Sequence, residues 1–179
     1  PSIEGKKIID LSIDHRYSNG WVYGLPELYN DKIKNSTRVA NPGCYATSII
    51  LGLLPIKEKI SEVCISSTSG VSGAGMELQE KDNFLIYKDG KNHPQLAEME
   101  RTLGLEKVLF VPQRIDTAER GIVSTIFAEY NGNENLSEVY KEFYKSKLFV
   151  RVKDSIETKK VNGTNFCDIK VSQFENKVI

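Results

Sequence analysis

The run that most constrains this chain is Asn41-Pro42-Gly43-Cys44, followed by ten uncharged residues and then Pro55. Pro42-Gly43 reads as a tight turn and Pro55 as a stop. Between them the sequence predicts a helix from Cys44 to Leu54. Cys44 then falls in its first turn. A helix start leaves four N–H groups unpaired and carries the positive end of the macrodipole. Both features favour a thiolate, and the thiolate is the nucleophilic form. The other reading is a small, inert residue packing the helix start.

The composition excludes several classes. Lys+Arg and Asp+Glu number 24 each, so there is no net charge and no basic block suited to nucleic acid. Three cysteines (Cys44, Cys64, Cys167) and two histidines (His15, His93) suit neither a disulfide framework nor a zinc site. No apolar run reaches the roughly 20 residues of a membrane helix. The first residues do not read as a signal peptide. The expectation is a soluble, cytoplasmic protein in a reducing compartment, without a metal.

Taken in order, Lys7–Ser12 reads as a buried strand ending in Asp14-His15-Arg16, where Arg16 is a candidate anion ligand. Trp21–Leu28 reads as a packed loop and Arg38–Ala40 as a short extended run. Glu62–Ser67 reads as a strand with Cys64 in the core. Ser69-Gly70-Val71-Ser72-Gly73-Ala74-Gly75 reads as an open loop able to approach a phosphate, an amide or a nicotinamide, or as a flexible connection. It is neither G-x-G-x-x-G nor a Walker loop. Phe84–Tyr87 predicts a strand, and Pro94–Leu103 a helix with His93 at its start. A neutral imidazole there suits a general base, and a surface histidine is the alternative. Strands are predicted at Lys107–Pro112, Gly121–Tyr130, Leu148–Val152 and Thr164–Val171, with a polar loop over Gln113–Arg120. Asn135 with Glu138 predicts a capped helix to about Lys147, its apolar face formed by Tyr140, Phe143, Tyr144 and Leu148. Phe174–Lys177 predicts a turn. The pattern is an α+β domain: a mixed, largely antiparallel sheet with helices on one face. The opening strand reads as a remnant of a neighbouring α/β domain, and the abrupt end at Ile179 as that of a fragment.

These motifs, in order, resemble the N-acetyl-gamma-glutamyl-phosphate reductase family, related to aspartate-semialdehyde dehydrogenase. The resemblance is carried by Asp10–Arg16, Val22–Leu28, Ala40–Tyr45, Ser69–Gly75, Arg120-Gly121-Ile122 and Gly163–Asp168. It implies a glyceraldehyde-3-phosphate dehydrogenase-like C-terminal domain over 41–179, incomplete at its end, with 1–40 left from a dinucleotide-binding domain and its connection. It implies Cys44 as nucleophile and His93 as acid/base, the family's His-x-His-x-Pro-Glu being His93-Pro94-Gln95-Leu96-Ala97-Glu98 here. The second histidine is thus Gln95 and the proline Ala97. The loop before Arg120 is one residue longer than in the family. Arg16, Asn41, Glu98 and Arg120 are the implied substrate-binding residues. Pro42, Ser69, Gly70, Ser72, Gly73 and Ala74 are the implied cofactor-binding ones. The cofactor is NADP(H), although the family's Gly-rich fingerprint and its closing C-terminal helix are missing. A homodimer or homotetramer is implied.

The implied reaction is reduction of N-acetyl-gamma-glutamyl phosphate to the semialdehyde through a Cys44 thioester, in arginine biosynthesis. Three readings compete with it. One is a relative acting on aspartyl or aminoadipyl phosphate. Another is a cofactor-free Cys/His acyltransferase or hydrolase. The third is a non-catalytic dimerisation fragment.

Overall fold

The computed structural model describes residues 5–74 and 83–179. Gly75, the last residue of the expected Ser69–Gly75 loop, lies outside them. The chain opens with a small all-parallel sheet. Its strands are β1 (Ile8–Asp10), β2 (Val22–Tyr23) and β3 (Arg38–Ala40), in the order β1-β3-β2. Ile8 pairs with Arg38, and Val22 with Val39. Helix α1 (Pro26–Lys34) joins β2 to β3. The stretch expected as a packed loop therefore holds a strand and a helix start. The strand is only two residues long, too short for periodicity to reveal. Pro26 stands at the first helical position, where proline starts a helix rather than breaking one.

Helix α2 (Cys44–Leu53) follows the Asn-Pro-Gly turn and runs into a 3-10 turn over Leu54–Lys59. Pro55 thus ends the α-helix at about the expected place. The main sheet follows, built from β4 (Ile60–Gly70), β5 (Phe84–Ile86), β6 (Val108–Ile115) and β7 (Ile122–Tyr130). A terminal hairpin, β10 (Gln173–Phe174) and β11 (Lys177–Val178), completes it, turning at Glu175 with φ 53°. The strand order is β10-β11-β7-β4-β6-β5. Only β4 and β6 pair in parallel; the other pairs are antiparallel. Two more helices, α3 (Leu96–Leu103) and α4 (Leu136–Tyr144), stand outside the sheet, and β8 (Val150–Val152) pairs in parallel with β9 (Cys167–Ile169). The result is the expected α+β architecture with a mixed, mostly antiparallel sheet.

Core position follows period. In β4, Val63, Ile65 and Ser67 face inward, and Val108, Phe110 and Ala128 join them from the neighbouring strands. Against this face pack Tyr45, Ala46, Ile49, Ile50 and Leu53 of α2 and Leu96, Met99 and Leu103 of α3. The two buried tyrosines of α4 reach the far end of α2: Tyr140 Oη donates to Gly52 O (2.7 Å) and Tyr144 Oη to Leu51 O (2.5 Å). The last carbonyls of α2 are satisfied by these distant side chains.

Further expectations change. The opening strand is not buried, since Ile9 is 69% and Leu11 73% exposed. Cys64 is exposed, because the inward set of β4 is the odd-numbered one. It pairs with Leu109 and Phe127, which are 51% and 47% exposed, so an apolar row crosses the outer sheet face. Leu148 is exposed rather than part of the α4 face, since that helix ends at Tyr144. Finally, Gln113–Ile115 are strand rather than loop. They pair with Thr68–Gly70, and Thr68 Oγ1 donates to Gln113 Oε1 (2.8 Å) while Gln113 Nε2 donates to Ser66 Oγ (3.2 Å). Polar side chains bridging adjacent strands sustain pairing that apolar alternation does not announce.

Candidate active site

Cys44 is the first residue of α2 and is exposed; Gly43 before it is extended at φ −68°, ψ 150°. Gly43 has no side chain to cap the helix, so its donors are met from α3 and the turn before it. Gly43 N–H donates to Glu98 Oε2 (2.9 Å) and Ala46 N–H to Gln95 Oε1 (3.0 Å). Among the described residues the N–H groups of Cys44 and Tyr45 meet no acceptor. The sulfur itself accepts from Gln95 Nε2 at 3.7 Å.

Glu98 is 1% exposed and acts as the hub beneath this turn. Besides Gly43 it accepts from Tyr23 Oη (2.8 Å) and Arg16 Nη1 (2.5 Å). Burial and the Glu98 carboxylate push the Tyr23 hydroxyl far above the usual phenol range. Arg16 also donates from Nε to Asn41 O (3.0 Å), and Asn41 N–H donates to Asp10 O (2.8 Å). These two residues and Glu98 therefore lock the end of β1 and the Asn-Pro-Gly turn onto α3. Glu98 lines neither cavity beside Cys44.

Cys44 lines both cavities. The smaller, about 400 Å³, is lined by Arg16, Tyr45, Ser69, Gly73, Tyr87, Lys88, His93, Gln95 and Arg114 around Cys44. Three of these are cations: Arg16 is paired with Glu98, Arg114 with Asp116 (2.8 Å), and Lys88 has no carboxylate partner among the described residues. The larger groove, about 890 Å³, also borders Cys44 but carries Asn41, Pro42 and Arg120. Arg120 is 77% exposed along its side chain and pairs with Glu119 (3.3 Å). The implied substrate-binding set is thus divided: Arg16 lines the smaller cavity, Asn41 and Arg120 the larger.

His93 is 9% exposed and meets Tyr45, Phe110 and Tyr87 through ring edges, with centroids 5.2–6.0 Å apart. Burial first, and the Lys88 charge second, lower its pKa to about 4. Its Nδ1 accepts from Gln95 N–H (3.2 Å), which leaves the proton of the neutral ring on Nε2. Held this way, His93 can donate into the cavity; to take a proton it would have to release the Gln95 amide at Nδ1 or lose the one on Nε2. Among the described residues no hydrogen bond joins His93 to Cys44.

The Ser69–Ala74 stretch ends β4 and continues as a 3-10 turn over Val71–Ala74. Its N–H groups are used within the fold: Gly70 donates to Gly121 O (2.9 Å), Val71 to Ala118 O (2.9 Å) and Ser72 to Glu119 O (3.0 Å). A Cβ on Gly70 would lie 2.7 Å from Ala118 O, so this glycine serves the close approach of the protein's own backbone. Ser69 Oγ accepts from Tyr45 Oη (2.9 Å). For a nicotinamide cofactor the fit is confined to space beside the sulfur, where Pro42 lines one cavity and Ser69 and Gly73 the other, with Ser72 exposed nearby.

Sequence reasoning missed Gln95, Lys88 and Arg114 as site residues. Gln95 was visible only as the residue two after His93. Lys88 follows the strand expected over Phe84–Tyr87 and has no distinguishing motif, though its φ of 48° marks a backbone that lysine rarely adopts. Arg114 stands at the end of a strand whose last residues looked like loop.

An exposed cysteine at an open helix start thus borders a cation-lined cavity on an α+β domain. The chain belongs to the semialdehyde dehydrogenase family: the family model described as "Semialdehyde dehydrogenase, dimerisation domain" matches residues 44–179. Within it the likeness is to proteins named N-acetyl-gamma-glutamyl-phosphate reductase. That of Sulfurimonas denitrificans is 38% identical over 98% of this chain and 61% of its own length; that of Caldicellulosiruptor saccharolyticus is 39% identical over 98% and 62%. The chain therefore spans about three-fifths of the curated relatives it matches. The fold is shared with aspartate semialdehyde dehydrogenase II of Vibrio cholerae, at TM-score 0.73 and 14% identity, covering 96% of this chain and 65% of that one.

Proposed function

We propose that this chain is the catalytic portion of an NADPH-dependent reductase that converts N-acetyl-gamma-glutamyl phosphate to its semialdehyde in arginine biosynthesis. The observation that carries this reading is Cys44, exposed at a helix start with two unused N–H groups and bordered by a cavity with three cations. The substrate is an anion at both ends, a carboxylate and an acyl phosphate. Arg16, Lys88 and Arg114 offer its charge a binding place in the smaller cavity, and Arg120 in the larger.

In this mechanism the sulfur of Cys44, its proton released to water, attacks the acyl carbon. The C–S bond forms, the bond to phosphate breaks, and phosphate leaves with the electron pair. The thioester splits one hard reduction into two easier steps. NADP(H), when bound against Pro42, Ser69, Ser72, Gly73 and Ala74, supplies the hydride. His93 is the proton carrier of this reading, neutral at pH 7 with its proton on Nε2. The sulfur is regained when the aldehyde leaves. A second copy of the chain covers the outer sheet face along Cys64, Leu109 and Phe127, in keeping with the matched family's description as a dimerisation domain. The cytoplasm is the compartment that suits three free thiols.

The test is Cys44→Ala in the full-length protein. Reductase turnover is expected to fall at least about 10³-fold while the folded protein persists. Near-normal turnover in the folded variant sinks the proposal. Residues 1–179 alone contain no G-x-G-x-x-G turn. They are expected to bind NADPH weakly by calorimetry.

A further inference from the structure

Gln95 is the residue that touches the reacting atom, and it does so through a neutral amide. Its orientation is set by the network. Ala46 N–H is a donor, so the amide atom 3.0 Å from it must be the oxygen. That places the NH₂ group toward Cys44 Sγ, at 3.7 Å. The backbone of Gln95 is anchored as well, its N–H donating to His93 Nδ1. Gly43 is what admits the side chain, since a Cβ there would lie 2.3 Å from Gln95 Cδ. A donor fixed at both ends, beside a nucleophilic sulfur, has the arrangement required to stabilise charge developing on an acyl oxygen.

We infer that Gln95 Nε2 is an oxyanion donor for acyl transfer to Cys44, an inference that rests on the thioester reading above. As the C–S bond forms, the carbonyl electron pair moves onto oxygen, which accepts the hydrogen bond from Nε2. The pair then returns, and the bond to the leaving group breaks, carrying its electrons away. Gln95 exchanges no proton in this step, so its contribution does not titrate. The unpartnered N–H groups of Cys44 and Tyr45 lie at the same helix start and add to the same field.

The experiment compares two reactions of the same sulfur in the full-length protein. Acylation by p-nitrophenyl acetate passes through an oxyanion; alkylation by iodoacetamide does not. The ratio of the two rates at Cys44 cancels any change in thiolate fraction. In Gln95→Met, which loses the donor, this ratio is expected to fall about 10²-fold. Gln95→Glu keeps an acceptor for Ala46 N–H and lacks the donor, and the ratio should fall comparably there even if the Met variant is unstable. A ratio within about 3-fold of the wild type in a folded variant overturns the inference and leaves the thioester reading standing. Wild-type Cys44 that reacts with neither reagent faster than Cys64 and Cys167 overturns both.

Discussion

Helices α2 and α4 begin in opposite ways. At α4, Asn135 caps its own helix: the side-chain oxygen accepts from Ser137 N–H (3.1 Å), and Glu138 supplies an acidic first turn. Everything needed stands within four residues. At α2 there is no side-chain cap and no acidic residue in the first turn. Two acceptors come from α3 and the turn before it, 55 and 49 residues away in sequence, and two N–H groups stay open among the described residues. A helix start that only has to be stable is finished locally. The start that carries Cys44 is held from outside, which leaves donors around the sulfur available, as the proposed function requires.

That contrast can be broken most strongly at Glu98. Glu98→Ala removes the acceptor of the Arg16 guanidinium, the Tyr23 hydroxyl and Gly43 N–H together. Loss of one partner from such a buried charged network costs about 3–5 kcal/mol. Urea unfolding should show that loss, and in any folded fraction the Cys44 reaction with iodoacetamide should change as well.

A smaller effect is expected from acid. The imidazole of His93 takes up its proton near pH 6.5 when unfolded, but only near pH 4 in the fold. Its contribution to stability is therefore complete above pH 6.5 and is lost as the pH falls toward 4, roughly 3 kcal/mol in all. Protonation also removes the acceptor that anchors Gln95, so the start of α2 should loosen in that window. His93→Phe should flatten this part of the stability profile; an unchanged profile refutes the assignment.

The smallest effect sharpens the comparison from the other side. Asn135→Ala should cost about 1 kcal/mol and leave the reactivity of Cys44 where it was. A change at Cys44 would mean that the two helix starts are not separate.

The same contrast explains what could be read from the sequence. Asn135 and Glu138 announced α4 because a local cap is written in adjacent residues. The helix after Cys44, the alternation of β7 and the α+β class were legible for the same reason. The two-residue β2 left no period to find, and the face taken by Cys64 depends on register with β6 and β7. At the site, Cys44 stood out by its turn and His93 by its residue type. Gln95 did not, because a glutamine before a helix has no distinctive chemistry until the fold brings it to a sulfur 51 positions away. Glu98 was recognisable only through family resemblance. What it does, satisfying three donors at once, depends on the packing of α3 against the first sheet.

Both ends of α2 depend on partners far along the chain. Its start waits on Gln95 and Glu98, and its last carbonyls on Tyr140 and Tyr144, 88 and 93 residues away. Such long closures form slowly compared with local contacts. The surroundings of Cys44 are accordingly expected to assemble late. In a chain emerging from synthesis, or one in which α3 has transiently detached, Cys44 is a cysteine without its amide donor. If Cys44 has the proposed chemistry, that chemistry becomes a timestamp on completed tertiary structure.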